Sequence, residues 1–161
     1  MKTIELVNFI DLNNKEKEMI LSWRNHPNTK KWMFAKSDIE KKDHFNFIES
    51  LKNLEDKKYF LVLKKTNYIG VIDFTKISND STHIGIYKNP NIHKVGDVLL
   101  SEIINYGFNS LKVSKLIAEV IEGNTKAIQL YKSNGFEIVK KIQLHSDKVY
   151  IMELSNLDNN L

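Results

Sequence analysis

Apolar positions alternate with a period of two in some stretches of the chain and recur every three or four residues in others. TIELVNFI (residues 3–10) is rich in β-formers and predicts a strand. Asn13 or Asn14 can cap a helix through KEKEMILSW, and His26-Pro27 stops it, because a residue before proline avoids the α region. NTKKWMFAK then reads as a loop. Ser37 and Glu40 form an S-x-x-E capping box heading a second helix, in which Ile39, His44, Phe47, Ile48 and Leu51 make one stripe. KYFLVLKK (58–65), YIGVIDFTK (68–76) and THIGIYK (82–88) alternate as strands. Thr66-Asn67 and Ser78-Asn79-Asp80 are turn residues, which predicts an antiparallel meander. A loop with Pro90 and Gly96 leads into an amphipathic helix, DVLLSEIINYGFNSL. A strand (115–121), a helix (124–134) and two strands, FEIVKKIQL and KVYIMEL, complete the pattern.

The order is therefore strand, two helices, three strands, helix, strand, helix, two strands. It predicts an α/β protein with a mixed, mostly antiparallel seven-stranded sheet flanked by four helices on its two faces. Residues 1–155 are expected to form a single domain and 156–161 a polar tail. The length of 161 residues fits one core, and 42% hydrophobic with 27% charged residues is ordinary for a globular chain. No apolar run is long enough to span a bilayer and the N-terminus carries no h-region, so neither membrane nor secretion is expected and a cytoplasmic protein is. The absence of cysteine excludes a disulfide scaffold, a thiolate zinc site and a cysteine nucleophile. The net charge of +4 comes from lysines interleaved with acids, which reads as a solvated surface rather than a nucleic-acid patch. Arg24 is the only arginine among 24 basic residues. It marks either a place that needs a planar bidentate fork or chance in a lysine-biased chain.

Two clusters carry candidate chemistry. His93-Lys94-Val95-Gly96-Asp97-Val98 leaves a strand and opens a helix, whose unpaired N–H groups and dipole can hold a phosphate. Gly96 allows close approach of the backbone, and an ordinary β-to-α turn is the alternative. In the second cluster Asn124 is a natural N-cap and Gly135 a natural C′ residue, with Ala127, Ile128, Leu130 and Tyr131 on the inner stripe between them.

N-x-x-A-x-x-L-Y-x-x-x-G-F (Asn124 to Phe136), together with the His93–Val98 loop and the element order, resembles the GCN5-related N-acetyltransferases, the GNAT superfamily. In the loop His93 stands where the family has Gln or Arg, and Val98 where it has a small residue. The resemblance implies acetyl-CoA as co-substrate and no metal. It implies that Ile84, Gly85, Ile86 and Tyr87 hold the pantetheine arm, and that Lys94, Val95, Gly96, Asp97 and Val98 cradle the pyrophosphate beside His93. Asn124 and Ala127 join that site, and two neighbouring strands splay to let amine and thioester meet. Tyr131 stands where the family carries the general acid that protonates the departing thiolate. Glu119, sharing a face with Ile117 and Ile121, is the first candidate for the base, since partial burial raises a carboxyl pKa. Asp73 and His44 are the runners-up.

Trp23 to Phe34 and Asp43 to Phe47 hold the lone arginine, two histidines and both tryptophans. An arginine can clamp a diphosphate and aromatic faces can stack on a base. W-R-N-H-P-N-T-x-x-W-M, D-F-T-K (73–76) and G-I-Y-K-N-P (85–90) resemble the branch of the superfamily that acts in pseudaminic acid biosynthesis for flagellin glycosylation. It acetylates the 4-amino group of UDP-4-amino-4,6-dideoxy-N-acetyl-β-L-altrosamine. That resemblance implies a UDP-amino-sugar site lined by Arg24, His26, Met33, Phe34, His44, Phe47, Thr75, Lys76 and Tyr87, with Trp32 as a further candidate. Read as an aromatic pattern alone, Trp23 and one of Phe45 and Phe47 belong to the core. A homodimer stays open. Two other readings also stay open: a GNAT enzyme acting on a protein N-terminal amine, and a non-catalytic acyl-CoA-binding module.

Overall fold

The computed structural model describes residues 3–156. Of the expected polar tail only Asn156 is included, its amide donating to Ser114 O at 2.9 Å, and the remainder lies outside the described residues. The strands are β1 (Ile4–Asn8), β2 (Lys58–Lys64), β3 (Asn67–Thr75), β4 (Ser81–Lys88), β5 (Lys115–Ile121), β6 (Glu137–Leu144) and β7 (Asp147–Ser155). The helices are α1 (Asn14–Arg24), α2 (Pro27–Lys30), α3 (Lys41–Ser50), α4 (Gly96–Asn105) and α5 (Thr125–Ser133). The sheet runs β1-β2-β3-β4-β5-β7-β6, antiparallel throughout except for the parallel β4–β5 pair.

Four local departures from the sequence expectations have physical causes. Pro27 starts a short helix as well as ending the previous one, because its fixed φ suits the first helical position. Ser37–Glu40 is not a capping box. Helix α3 starts at Lys41, Glu40 is its N-cap without a side-chain bond, and Ile39 lies ahead of the helix with its backbone tied to Asn25. The working capping box is Asn13–Glu16, where each side chain bonds the other's backbone N–H at 2.8 and 3.0 Å. The β2–β3 turn is Lys65-Thr66, both at positive φ, rather than Thr66-Asn67. The helix expected to run to Leu111 ends at Asn105 and continues as one wider turn, Tyr106–Ser110.

Alternation along the strands sorts side chains onto two faces. Phe60, Val62, Ile72, Phe74, Leu116 and Ala118 pack under Leu99, Leu100 and Ile103 of α4. Leu61 and Val71 pack under Ile20 and Trp23 of α1 and Ile48 of α3. Trp23 is thus core, as expected. Among the described residues five α-helices replace the four expected, and none is long and apolar enough to cross a membrane.

Candidate active site

The parallel pairing of β4 with β5 ends at Ile84↔Ala118, yet β4 runs on to Lys88 and β5 to Ile121. The two strands therefore part, and the gap opens into a cleft of about 1400 Å³. A pocket for one small ligand is usually ~300–1,000 Å³, so this one has room for two substrates.

On one side of the gap lies the start of α4. Its N-cap, Val95, contributes no side-chain bond, which leaves the first-turn N–H groups of Gly96, Asp97 and Val98 without a helical or capping acceptor. Such a helix end suits an anion. His93, Lys94, Val95, Gly96 and Asp97 line the cleft. Val98 does not; its side chain turns away from the cleft and packs against the core beside α4. Glycine at 96 also has a packing reason: a β-carbon there would meet Leu130 of α5 at 3.1 Å. Asp97 does not point an unpaired carboxylate at this end, since Asn134 Nδ2 donates to its Oδ1 at 3.1 Å. Ile86 and Tyr87 of β4 form the adjoining wall with Asn124 and Ala127, and Asn124 Oδ1 caps α5 by accepting from Ala127 N at 3.3 Å.

Tyr131 lies on the inner side of α5, 7% exposed, its ring tilted on Phe136 at 5.1 Å. It lines the cleft, and its hydroxyl has no hydrogen-bond partner among the described residues. Burial, with the charge of Asp73 second, raises its pKa, so it stays a neutral O–H donor at physiological pH.

The other side is the face covered by α1 and α3. Arg24 Nη2 donates to Ala35 O at 2.9 Å, whereas Nη1 is buried with no partner. Desolvation lowers its pKa, offset by the Tyr87, Asp38 and Tyr59 charges. Trp32, Met33, Phe34, Phe47, Thr75, Lys76 and Tyr87 line the same cleft as Arg24. His44 lines it too but is 5% exposed and holds Lys17 O at 2.9 Å through Nε2; burial lowers its pKa. Its Nε2 is thereby committed to that carbonyl. His26 departs from expectation: its Nδ1 accepts from Asn28 N at 3.1 Å as the N-cap of α2, and it does not line the cleft.

Two carboxylates face the gap. Glu119 lies 3.1 Å from Nδ1 of His83 across the parting strands, so it has a partner rather than the apolar surroundings expected of it. Asp73 lies beside Gly85 on β4, and desolvation raises its pKa to about 7. Sequence reasoning passed over His83 and Tyr59. Alternation places His83 with Gly85 and Tyr87, but only the strand register brings it to Glu119 and brings Tyr59 to Asp73. No cluster of metal-ligating side chains occurs among the described residues.

The chain belongs to the GNAT acetyltransferases: the family's acetyltransferase (GNAT) domain matches residues 8–137, a span that takes in the parted strands, the uncapped start of α4 and Tyr131. It is 44% identical over 135 residues to acetyltransferase PseH of Campylobacter jejuni, covering 84% of this chain and 85% of that protein. The crystal structure of C. jejuni N-acetyltransferase PseH in complex with acetyl coenzyme A superposes with a TM-score of 0.78 at 38% identity, covering 95% and 99% of the two chains. A Vibrio cholerae spermidine N-acetyltransferase in complex with CoA and spermine shares the fold, with a TM-score of 0.85 at 19% identity over 99% of each chain.

Proposed function

We propose that this protein is a cytoplasmic N-acetyltransferase of pseudaminic acid biosynthesis for flagellin glycosylation. It transfers acetyl directly from acetyl-CoA to the 4-amino group of UDP-4-amino-4,6-dideoxy-N-acetyl-β-L-altrosamine, within one catalytic domain over residues 1–155. The likeness to PseH supports the substrate class. One observation carries the reading: a single cleft runs from the uncapped amides of α4, past the Tyr131 hydroxyl, to the free arm of the lone arginine.

In this reading the α4 amides and Lys94 take the pyrophosphate of acetyl-CoA, and the edge of β4 at Ile86 and Tyr87 takes its pantetheine arm. The thioester then lies in the gap beside Tyr131, which protonates the departing sulfur. Arg24 Nη1 and Lys76 meet the sugar diphosphate, and Phe34, Met33 and Phe47 enclose the nucleoside. Glu119 and Asp73 are the two carboxylates in reach of the acceptor nitrogen.

Turnover measured with acetyl-CoA against UDP-linked 4-amino-dideoxy sugars and against peptides with free N-termini tests the proposal. Acetylation of the sugar at the 4-amino group is expected, with peptides unmodified. Preference for a peptide amine overturns it.

A further inference from the structure

We propose that the Asp73 carboxylate is the base that takes the proton from the acceptor ammonium. This deepens the acetyl-transfer reading and rests on it. Asp73 lies in the middle of the sheet, paired with Tyr59 of β2 on one side and Gly85 of β4 on the other. Glycine at 85 is what lets the carboxylate lie over β4, because a β-carbon there would fall 2.8 Å from both its Cγ and its Oδ1. Strand β4 leaves β5 one residue earlier, at Ile84. The carboxylate is thereby placed at the lip of the gap.

Asp73 lines the cleft and accepts no hydrogen bond from any described residue, whereas Glu119 is held by His83. Its charge is felt by three phenols. Burial is the main cause of the raised pKa of Tyr59, Tyr87 and Tyr131, and Asp73 is the next in each. The carboxylate and the general acid thus line one cleft, and the charge of the first bears on the second. A value near 7 leaves Asp73 about half ionised at neutral pH, where a base is most effective. Besides Asp73, the cleft is faced by Arg24 of α1, His44 of α3, Tyr59 of β2, His83, Tyr87 and Lys88 of β4, His93, Lys94 and Asp97 at the α4 start, Glu119 of β5, Lys126 and Tyr131 of α5, and by Lys31 and Lys76. Of the acids and histidines among them, His44 is held on Lys17 O, Asp97 accepts from Asn134, and His83 and Glu119 face each other.

Asp73 removes one proton from the ammonium, and the freed lone pair forms the C–N bond to the thioester carbonyl carbon. The carbonyl electron pair moves to oxygen and returns as the C–S bond breaks, and sulfur takes the Tyr131 proton. The second proton shed by nitrogen restores the phenol. The proton on Asp73 passes to solvent, so one proton is released per turnover.

The test uses acetyl-CoA and a UDP-linked 4-amino-4,6-dideoxy sugar with the full chain. The wild-type kcat/KM should rise along an acidic limb of apparent pKa about 7. Asp73→Asn should lose that limb and about 100-fold in kcat/KM at pH 7.5, with the Kd for acetyl-CoA little changed. Glu119→Gln and His83→Gln should keep the limb. A limb and rate unchanged in Asp73→Asn, or a limb lost in Glu119→Gln or His83→Gln instead, overturns the assignment. Carboxyl ¹³C NMR of the wild-type protein needs no variant: one side-chain carboxyl should titrate near pH 7, and none above pH 6 overturns the assignment. Wild-type protein that acetylates no amine removes the acetyl-transfer reading itself, and this assignment with it.

Discussion

Two side chains bear most of the chemical argument, and each departs from its type's usual surroundings. Tyr131 is buried in a core cluster yet keeps an unpartnered hydroxyl at the cleft. Removing only that oxygen leaves the packing against Phe136 intact, so Tyr131→Phe should lower kcat about 10- to 1,000-fold and leave acetyl-CoA binding similar. Single-turnover kinetics beside a CoA titration checks this, and an unchanged kcat removes the acid role. Arg24 has one arm on Ala35 O and the other buried without an acceptor. A donor left in that state is costly, and an incoming anionic oxygen relieves the cost. Lysine supplies a point charge and no fork. Arg24→Lys is therefore expected to raise KM for the UDP-sugar about tenfold or more while moving KM for acetyl-CoA little. Equal rises in both would mean that Arg24 only supports the 35–39 loop.

Helices deliver these residues, and their ends decide how firmly. Asn124 caps α5, the helix that carries Tyr131. Asn124→Ala should cost about 1 kcal/mol of stability, read as a lower urea midpoint at unchanged slope, and should lower kcat by loosening the phenol. Caps of this kind were legible in the sequence because they are local: Asn124 with Gly135, at φ +92°, delimits α5, and Asn13 opens α1. The Ser37–Glu40 match misled for the same reason. A capping pattern says nothing about whether the backbone turns helical after it, and here helix starts only at Lys41. The Lys65-Thr66 turn, with both residues at positive φ, carries no Gly or Asn at those positions to announce it. The site divides in the same way. Tyr131 and the α4 start fell inside short motifs, and Arg24 stood out by composition. The neighbours that set Asp73, namely Tyr59 and Gly85, depend on a register across three strands, and the His83–Glu119 contact depends on where β4 and β5 part. Alternation assigns faces but not register.

At the scale of the whole molecule, two buried groups shifted in opposite directions make stability answer to pH. Burial raises Asp73 to about 7, so between its unfolded value of about 4 and that point the folded chain holds a proton that the unfolded chain has released. The unfolded state then binds fewer protons, and stability falls as pH rises through this window, by at most about 1.4 kcal/mol per pH unit. Burial lowers His44, so below its unfolded value of about 6.5 the unfolded chain takes up a proton that the folded chain refuses, and stability falls as pH drops. Asp73→Asn deletes only the first of these. Its gain in unfolding free energy over wild type should be small at pH 4, grow to pH 7 and level off above, as followed by urea unfolding at each pH. A gain independent of pH would mean that the carboxylate is not desolvated in the folded chain. A variant that is more stable at pH 8 yet far less active would show the cost of placing a charged base in the middle of this sheet, a trade expected where a site is held ready for chemistry.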